Sequence, residues 1–486
     1  MSRPPNPTPA PDDPTYLHNL SIALRTRFTG PNAAIKDIDE AVRCAKSALA
    51  VAPEAYEHRD ALWSNLGRCL FARHGRTGDP QDLDDQIEAF RQSLAATPPG
   101  AVAPVYRHFL LWKALRQRHD RSRALGDLRG AVEAGRHVVA GIDDPALRLR
   151  HLADLGDDLR DLARWTHADA DIAAALSAAD EVVEACPDGD PRRAMALSRR
   201  GLALRVRYRR DGRLADLDDA VRDQRGALAG AEPGDPDLDT YVDRLATALA
   251  DRFDRTGDLA DVSEAIDRRR RMVEAETSDD TANAHNLATA LYARYKHTGA
   301  VADLDDAVTT VRGALGRSSG RGSSHGSLLA CLAAFTHARF DLVGDVDLLW
   351  QALAYAREAA AATPVGAPER GARLSALSNS LTMVSGPEAD IALADEAVGV
   401  AREAVRSVPP GHPDHASVLL NLGHALMVRA EVAGDQADLP EAAGVLRAAA
   451  DFRGAKPTTR MRAALSRAAW NVSRATRVPR RRRSPP

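Results

Sequence analysis

Cysteine, lysine and aromatic residues are all scarce in this chain of 486 residues. The four cysteines, Cys44, Cys69, Cys186 and Cys331, lie far apart and form no C-x-x-C pair. That spacing excludes a zinc knuckle and a disulfide framework, and each cysteine reads as a small helix-packing residue. Aromatics supply 4% of the chain, too little for large irregular cores. Five lysines stand against 60 arginines, and the formal net charge is only −3. No global field is therefore available to hold nucleic acid or an anionic membrane. No apolar run approaches the roughly 18 residues of a membrane span. The opening MSRPPNPTPAPDDPT lacks the apolar stretch of a secretory signal, so a cytoplasmic protein is expected. P-loop, H-E-x-x-H, G-x-S-x-G and Rossmann patterns are absent as well. Neither a catalytic residue, a metal site nor a cofactor is predicted.

What the chain does have is alanine, the best helix former, and repetition. A Gly-centred turn recurs at Thr29-Gly30, Thr77-Gly78-Asp79, Asp211-Gly212, Thr256-Gly257-Asp258, Thr298-Gly299, Gly344-Asp345 and Gly434-Asp435, with weaker versions near Asp120, His167 and Gly386. The steps average about 45 residues, the range of two-helix repeats. Within one unit, Leu287, Leu291 and Arg294 form a helical stripe, and Gly299 ends that helix. The acidic run Asp303-Leu304-Asp305-Asp306 opens a second helix, where carboxylates offset the positive end of the dipole. A small residue, Gly67, Ala246, Ala288 or Gly423, follows the first Leu and lets paired helices approach. No pair can bury both stripes alone, so neighbours must stack. The expected organisation is a disordered Pro-rich arm over 1–13, an α-solenoid over 14–475 and a disordered basic tail over 476–486. The solenoid comprises ten helical pairs and a terminal capping helix.

At Leu66-Gly67…Leu70, Leu287-Ala288…Leu291 with Ala307, and Leu422-Gly423…Leu426, the chain resembles the tetratricopeptide repeat family. That resemblance implies an all-α, right-handed superhelical solenoid whose concave groove binds a protein or peptide segment, a scaffold rather than an enzyme. The repeats exceed the family's usual length of about 34 residues. This long form is similar to repeats found ahead of caspase-like CHAT protease domains in actinobacterial and fungal proteins. A second reading follows: a sensor arm of a protease system whose catalytic domain is absent from this chain.

Three sets of residues invite a functional assignment. In the family the first helix lines the groove, and Asn at the matching place holds a peptide backbone. Asn19, Asn65, Asn286 and Asn421, with Arg68 and His424 one turn on, are the candidate groove residues, a solvated helix face being the alternative. Arginine followed by an aromatic or His recurs as Arg27-Phe28, Arg73-His74, Arg207-Tyr208, Arg252-Phe253, Arg294-Tyr295 and Arg339-Phe340. These arginines are expected to form a structural ion-pair ladder across the turn, with Arg73 meeting Asp84, Arg207 Asp218, Arg252 Asp261, Arg294 Asp305 and Arg339 Asp347. The third set, His325 and Cys331 in GRSSGRGSSHGSLLAC, faintly echoes a cysteine-protease dyad, and a loop between repeats is the simpler reading. Arg480–Arg483 read as a solvated tail, with no nucleic-acid motif beside them.

Overall fold

The computed structural model of the chain describes residues 13–30, 34–98, 105–232, 234–275, 281–318, 323–365, 367, 369–408, 410, 412, 414–452, 455 and 457–476. Every regular element among them is a helix. The pairs are α1 (Pro14–Phe28) with α2 (Ile35–Val51), α3 (Arg59–Thr77) with α4 (Pro80–Ala95), and α5 (Val105–Ser122) with α6 (Leu125–Ala140). Then come α7 (Pro145–Thr166) and α8 (Asp169–Glu184), α9 (Arg193–Asp211) and α10 (Leu214–Gly230), α11 (Leu238–Thr256) and α12 (Leu259–Ala275). The series closes with α13 (Ala282–Thr298) and α14 (Val301–Arg317), α15 (Ser323–Val343) and α16 (Asp347–Ala362), α17 (Arg370–Glu388) and α18 (Ile391–Ser407), α19 (His415–Ala433) and α20 (Leu439–Asp451), and a last helix, α21 (Pro457–Thr476).

Two compact units divide the chain, Met1–Leu162 and Ala163–Pro486, and the division falls inside α7. The proline-rich arm lies outside the described residues except for Asp13, whose carboxylate caps α1 by accepting from Thr15 N and Tyr16 N. The basic tail, Arg480–Arg483 included, lies outside them except for Thr476.

The turn within a pair follows from local chemistry. Gly78 ends α3 at φ +70°, a left-handed conformation that a Cβ disfavours. Asp79 then caps α4, accepting from Gln81 N at 2.9 Å, and Pro80 occupies the first helical position. The apolar stripe Leu83, Ile87 and Phe90 of α4 is fully buried. Close approach of the two helices depends on Gly67, where a Cβ would lie 2.7 Å from the Phe90 ring. Gly423 makes the same allowance for Leu446, with a Cβ 2.6 Å from it, and Ala246 and Ala288 are fully buried at the matching places.

Three junctions between successive pairs are fastened by an arginine that opens the next first helix. Arg59 Nη1 donates to Ala52 O at 2.8 Å, Arg193 Nη1 to Cys186 O at 2.5 Å and Arg370 Nη1 to Thr363 O at 3.0 Å. Each guanidinium satisfies the carbonyl end of the preceding second helix, where a cation also meets the negative end of the dipole. At the end of the series α21 packs on α19 and α20. Its Ala463 is buried with Ala416, Leu420, Leu446 and Ala449, which covers the stripe that the tenth pair leaves bare.

Candidate functional site

The arginines near the ends of first helices clamp carboxylates, but in a register two residues from the one expected. Arg73 Nε donates to Asp82 at 2.9 Å, Arg207 Nε to Asp216 at 3.0 Å and Arg294 Nε to Asp303 at 2.8 Å, so Asp84, Asp218 and Asp305 are not their partners within the repeat. Arg252 does meet Asp261, at 2.7 Å. Arg118–Asp127 and Arg429–Asp438 complete the set with the same nine-residue spacing, and Arg27–Asp37 does so with ten. Each of these contacts is bidentate, which suits the planar guanidinium fork. The hydrogen bonds they donate to the aspartates hold Arg73, Arg207, Arg252 and Arg294 above the usual guanidinium value.

Asp84, Asp218 and Asp305 turn out to serve the following repeat. Asp84 accepts from Arg118 Nη1 at 2.8 Å and Asp218 from Arg252 Nη1 at 3.0 Å, and Asp305 accepts from Arg339. Asp39 and Asp395 reach Arg73 and Arg429 in the same way, all 34 residues back. Two residues along a helix rotate a side chain by about 200°, so one aspartate of an Asp-x-Asp pair faces its own first helix while the other faces the next. Arg339 thus pairs with Asp305 and not with Asp347, because position 348, where the clamping carboxylate would stand, is Leu. The residue after the arginine turns inward: Phe28 and Phe253 are buried, and His74 Nδ1 lies 2.6 Å from Asp79 O.

The asparagines are corrected more sharply. Asn65 is buried and donates to Ser21 Oγ at 3.0 Å, Asn286 donates to Asp243 at 3.0 Å, and Asn421 to Ser375 Oγ at 2.8 Å. All three amide nitrogens tie one first helix to the preceding one, with Asn65 buried and Asn286 and Asn421 half-buried. Asn19 is exposed on α1. His424 is held against the capping helix, with Nε2 2.8 Å from Ser466 Oγ, and burial pushes its pKa down. Of the set, only Asn19 and Arg68 are exposed.

His325 and Cys331 do not form a pair. His325 Nδ1 lies 3.0 Å from Ser318 Oγ, while Cys331 Sγ lies 3.3 Å from His285 Nδ1 on the preceding first helix. Burial pushes the Cys331 thiol up to about 11, which keeps it protonated and poorly nucleophilic at neutral pH. Among the described residues no group of three His, Cys, Asp or Glu is placed to hold a metal ion.

One cluster of cations on the first-helix face of Met1–Leu162 stands apart from these internal ties. Arg25 of α1 and Arg68 of α3 have no carboxylate partner among the described residues, and Arg25 Nε is buried without a hydrogen bond. Burial and the neighbouring Arg68 charge both depress the Arg25 pKa. Around them, Phe71 is 49% exposed three residues after Arg68, and the Tyr106 hydroxyl lies 3.2 Å from Ser64 Oγ. Arg107, by contrast, is already neutralised by Asp60 at 2.7 Å. Spacing alone singles out Arg68 but not Arg25, because an orphaned donor appears only once the neighbouring helices are in place.

Residues 284–320, which hold α13, the Gly299 turn and most of α14, match the family model described as tetratricopeptide repeat. Over that span the chain carries a tetratricopeptide repeat. Solved structures with a similar helical course share little sequence with it. The human IFIT1 dimer with m7Gppp-AAAA is 12% identical, with a TM-score of 0.45, over 96% of this chain and 87% of that one. A tetratricopeptide repeat protein from Parabacteroides merdae is 14% identical, with a TM-score of 0.36, over 65% and 97%. A signal transduction ATPase with numerous domains from Pyrococcus horikoshii, carrying a tetratricopeptide repeat sensor, is 11% identical with a TM-score of 0.43, over 96% and 64%. No curated protein matches the chain in sequence.

Proposed function

We propose that this tetratricopeptide repeat chain is a non-catalytic protein-interaction scaffold, and that the first-helix face of Met1–Leu162 takes an acidic, extended segment of a protein partner. The reading rests on Arg25 and Arg68, two neighbouring guanidinium groups with no carboxylate partner among the described residues, one of which has its Nε buried without an acceptor. Bringing two like charges together and burying one Nε without an acceptor opposes folding. A carboxylate-bearing segment would satisfy both. Phe71, exposed on the same side, offers an apolar contact beside the charges.

Fluorescence anisotropy with a labelled Asp/Leu/Ser peptide and its Lys/Leu/Ser counterpart tests the proposal. The acidic peptide is expected to bind the full chain, and Arg68→Glu, an exposed substitution, to weaken binding at least tenfold. Arg25→Ala should weaken it as well. Equal binding of the two peptides, or binding untouched by either substitution, would overturn the assignment.

A further inference from the structure

The eighth and ninth pairs break the arginine–aspartate ladder in unit Ala163–Pro486, and apolar residues stand in its place. Leu348 replaces the clamping aspartate of α16, and Trp350 occupies the position of Asp84, Asp218 and Asp305. The arginine that Trp350 would have met is Val384, and the aspartate that should clamp it is Leu393. Leu342-Val343 likewise stands where other repeats carry Arg76-Thr77, Arg255-Thr256 and His297-Thr298. Those threonines bond back to Arg73 O, Arg252 O and Arg294 O, which valine cannot do.

The result is an apolar patch at one turn. Leu342, Val343 and Trp350 are exposed, Val343 by 69% and Trp350 by 43%. Val346 is exposed too, one helical turn before Trp350 and on its side of α16. Three carboxylates rim the patch. Asp341, Asp345 and Asp347 are exposed and have no cationic partner among the described residues. Asp341 also sits in the last turn of α15, where the negative end of the dipole disfavours an acid and where no basic residue compensates. Exposed apolar side chains, a misplaced acid and a lost ion-pair ladder at one turn are the local violations expected where function overrides stability.

We infer that this turn is a docking surface for a second protein segment, one that carries Arg or Lys beside large apolar side chains. Charge complementarity selects that occupant, since the patch supplies apolar area and its rim supplies only negative charge. A two-fold contact between copies of this chain would set acidic rim against acidic rim. An anionic membrane is repelled on the same grounds. A neutral one is a competitor, because Ser324–Val343, against the expectation that no run is long enough, is long and apolar enough by length and composition to cross a bilayer, with half of it buried. The inference is independent of the Arg25–Arg68 assignment, as it uses other residues in the other unit.

The test is anisotropy of a labelled amphipathic Leu/Lys peptide against the full chain, with a Leu/Glu peptide as counterpart. Trp350→Asp restores the residue that other repeats carry, and Val343→Thr does the same at its position, so both variants should fold. The Leu/Lys peptide is expected to bind saturably and the Leu/Glu peptide not at all. Trp350→Asp should weaken binding at least tenfold, and Asp341→Asn with Asp347→Asn several-fold. Equal binding of the two peptides, or binding unchanged in Trp350→Asp and Val343→Thr, would overturn the proposal. So would a wild-type dimer by sedimentation that Trp350→Asp dissociates, or neutral-lipid vesicle binding lost in the same variant.

Discussion

Arg252 and Asp218 are 34 residues apart in the chain and 3.0 Å apart in space. The same guanidinium holds Asp261 of its own repeat, so one side chain fastens a helix pair internally and ties it to the preceding pair. Asp218 is half exposed whereas Asp261 is buried. A double-mutant cycle on Arg252 and Asp218 should therefore give a coupling below about 1 kcal/mol. Molar salt should largely remove it.

The clamp inside a repeat should respond asymmetrically. Arg207 and Asp216 form the simplest case, because Ala173 stands where a carboxylate of the preceding repeat would be. Arg207→Ala strands Asp216, which is only 1% exposed, and should cost about 3 kcal/mol. Asp216→Ala leaves an arginine that can turn to water, for about 1–2 kcal/mol. Hydrogen exchange of peptides from α9 and α10 reads both values locally. Equal effects would show that the buried carboxylate carries no special penalty.

Which aspartate each arginine holds was only half legible in sequence. The recurring turn, the small residues against the second helix and the Arg near the end of the first helix are all visible as spacing. Asp82 and Asp84 both lie just across the turn from Arg73, and only the rotation of α4 tells them apart. Asn65, Asn286 and Asn421 mislead for a different reason. Their partners lie 43 to 46 residues back, in the preceding repeat, so a reading confined to one repeat sees free amides. The Arg25–Arg68 pair is hidden in the same way, as a contact between repeats.

Asp158 makes Met1–Leu162 sensitive to pH. Its carboxylate accepts from Trp112 Nε1 at 2.5 Å and faces Arg116 at 2.7 Å, yet burial pushes its pKa up to about 7. Protonation is thus favoured in the folded state relative to the unfolded one. Between the ordinary carboxylate value near 4 and pH 7 the native state binds more protons, so stability falls as pH rises through that window. Asp158→Asn should flatten this dependence and keep an acceptor for Trp112. The variant should gain on the order of a few kcal/mol at pH 8 and little at pH 4. Wild-type unfolding that is equally easy at pH 5 and pH 8 would contradict the assignment.

Gly67 leaves no room for a methyl group. Gly67→Ala places a Cβ 2.7 Å from the Phe90 ring, which is itself fully buried. A loss of about 1–3 kcal/mol is expected from overpacking, and Phe90→Leu in the same chain should recover part of it. Gly75→Ala, with nothing within 4 Å of its Cβ, should be neutral or slightly stabilising.

Site-specific photo-crosslinking in the producing cell tests the scaffold reading most directly. A benzophenone amino acid at Phe71, exposed beside Arg68 on the first-helix face, should give a discrete protein adduct that Arg68→Glu abolishes. The same group at Arg222, exposed on the second helix α10, should give none. Adducts at Arg222 but not at Phe71, or adducts at Phe71 indifferent to Arg68→Glu, would contradict the account.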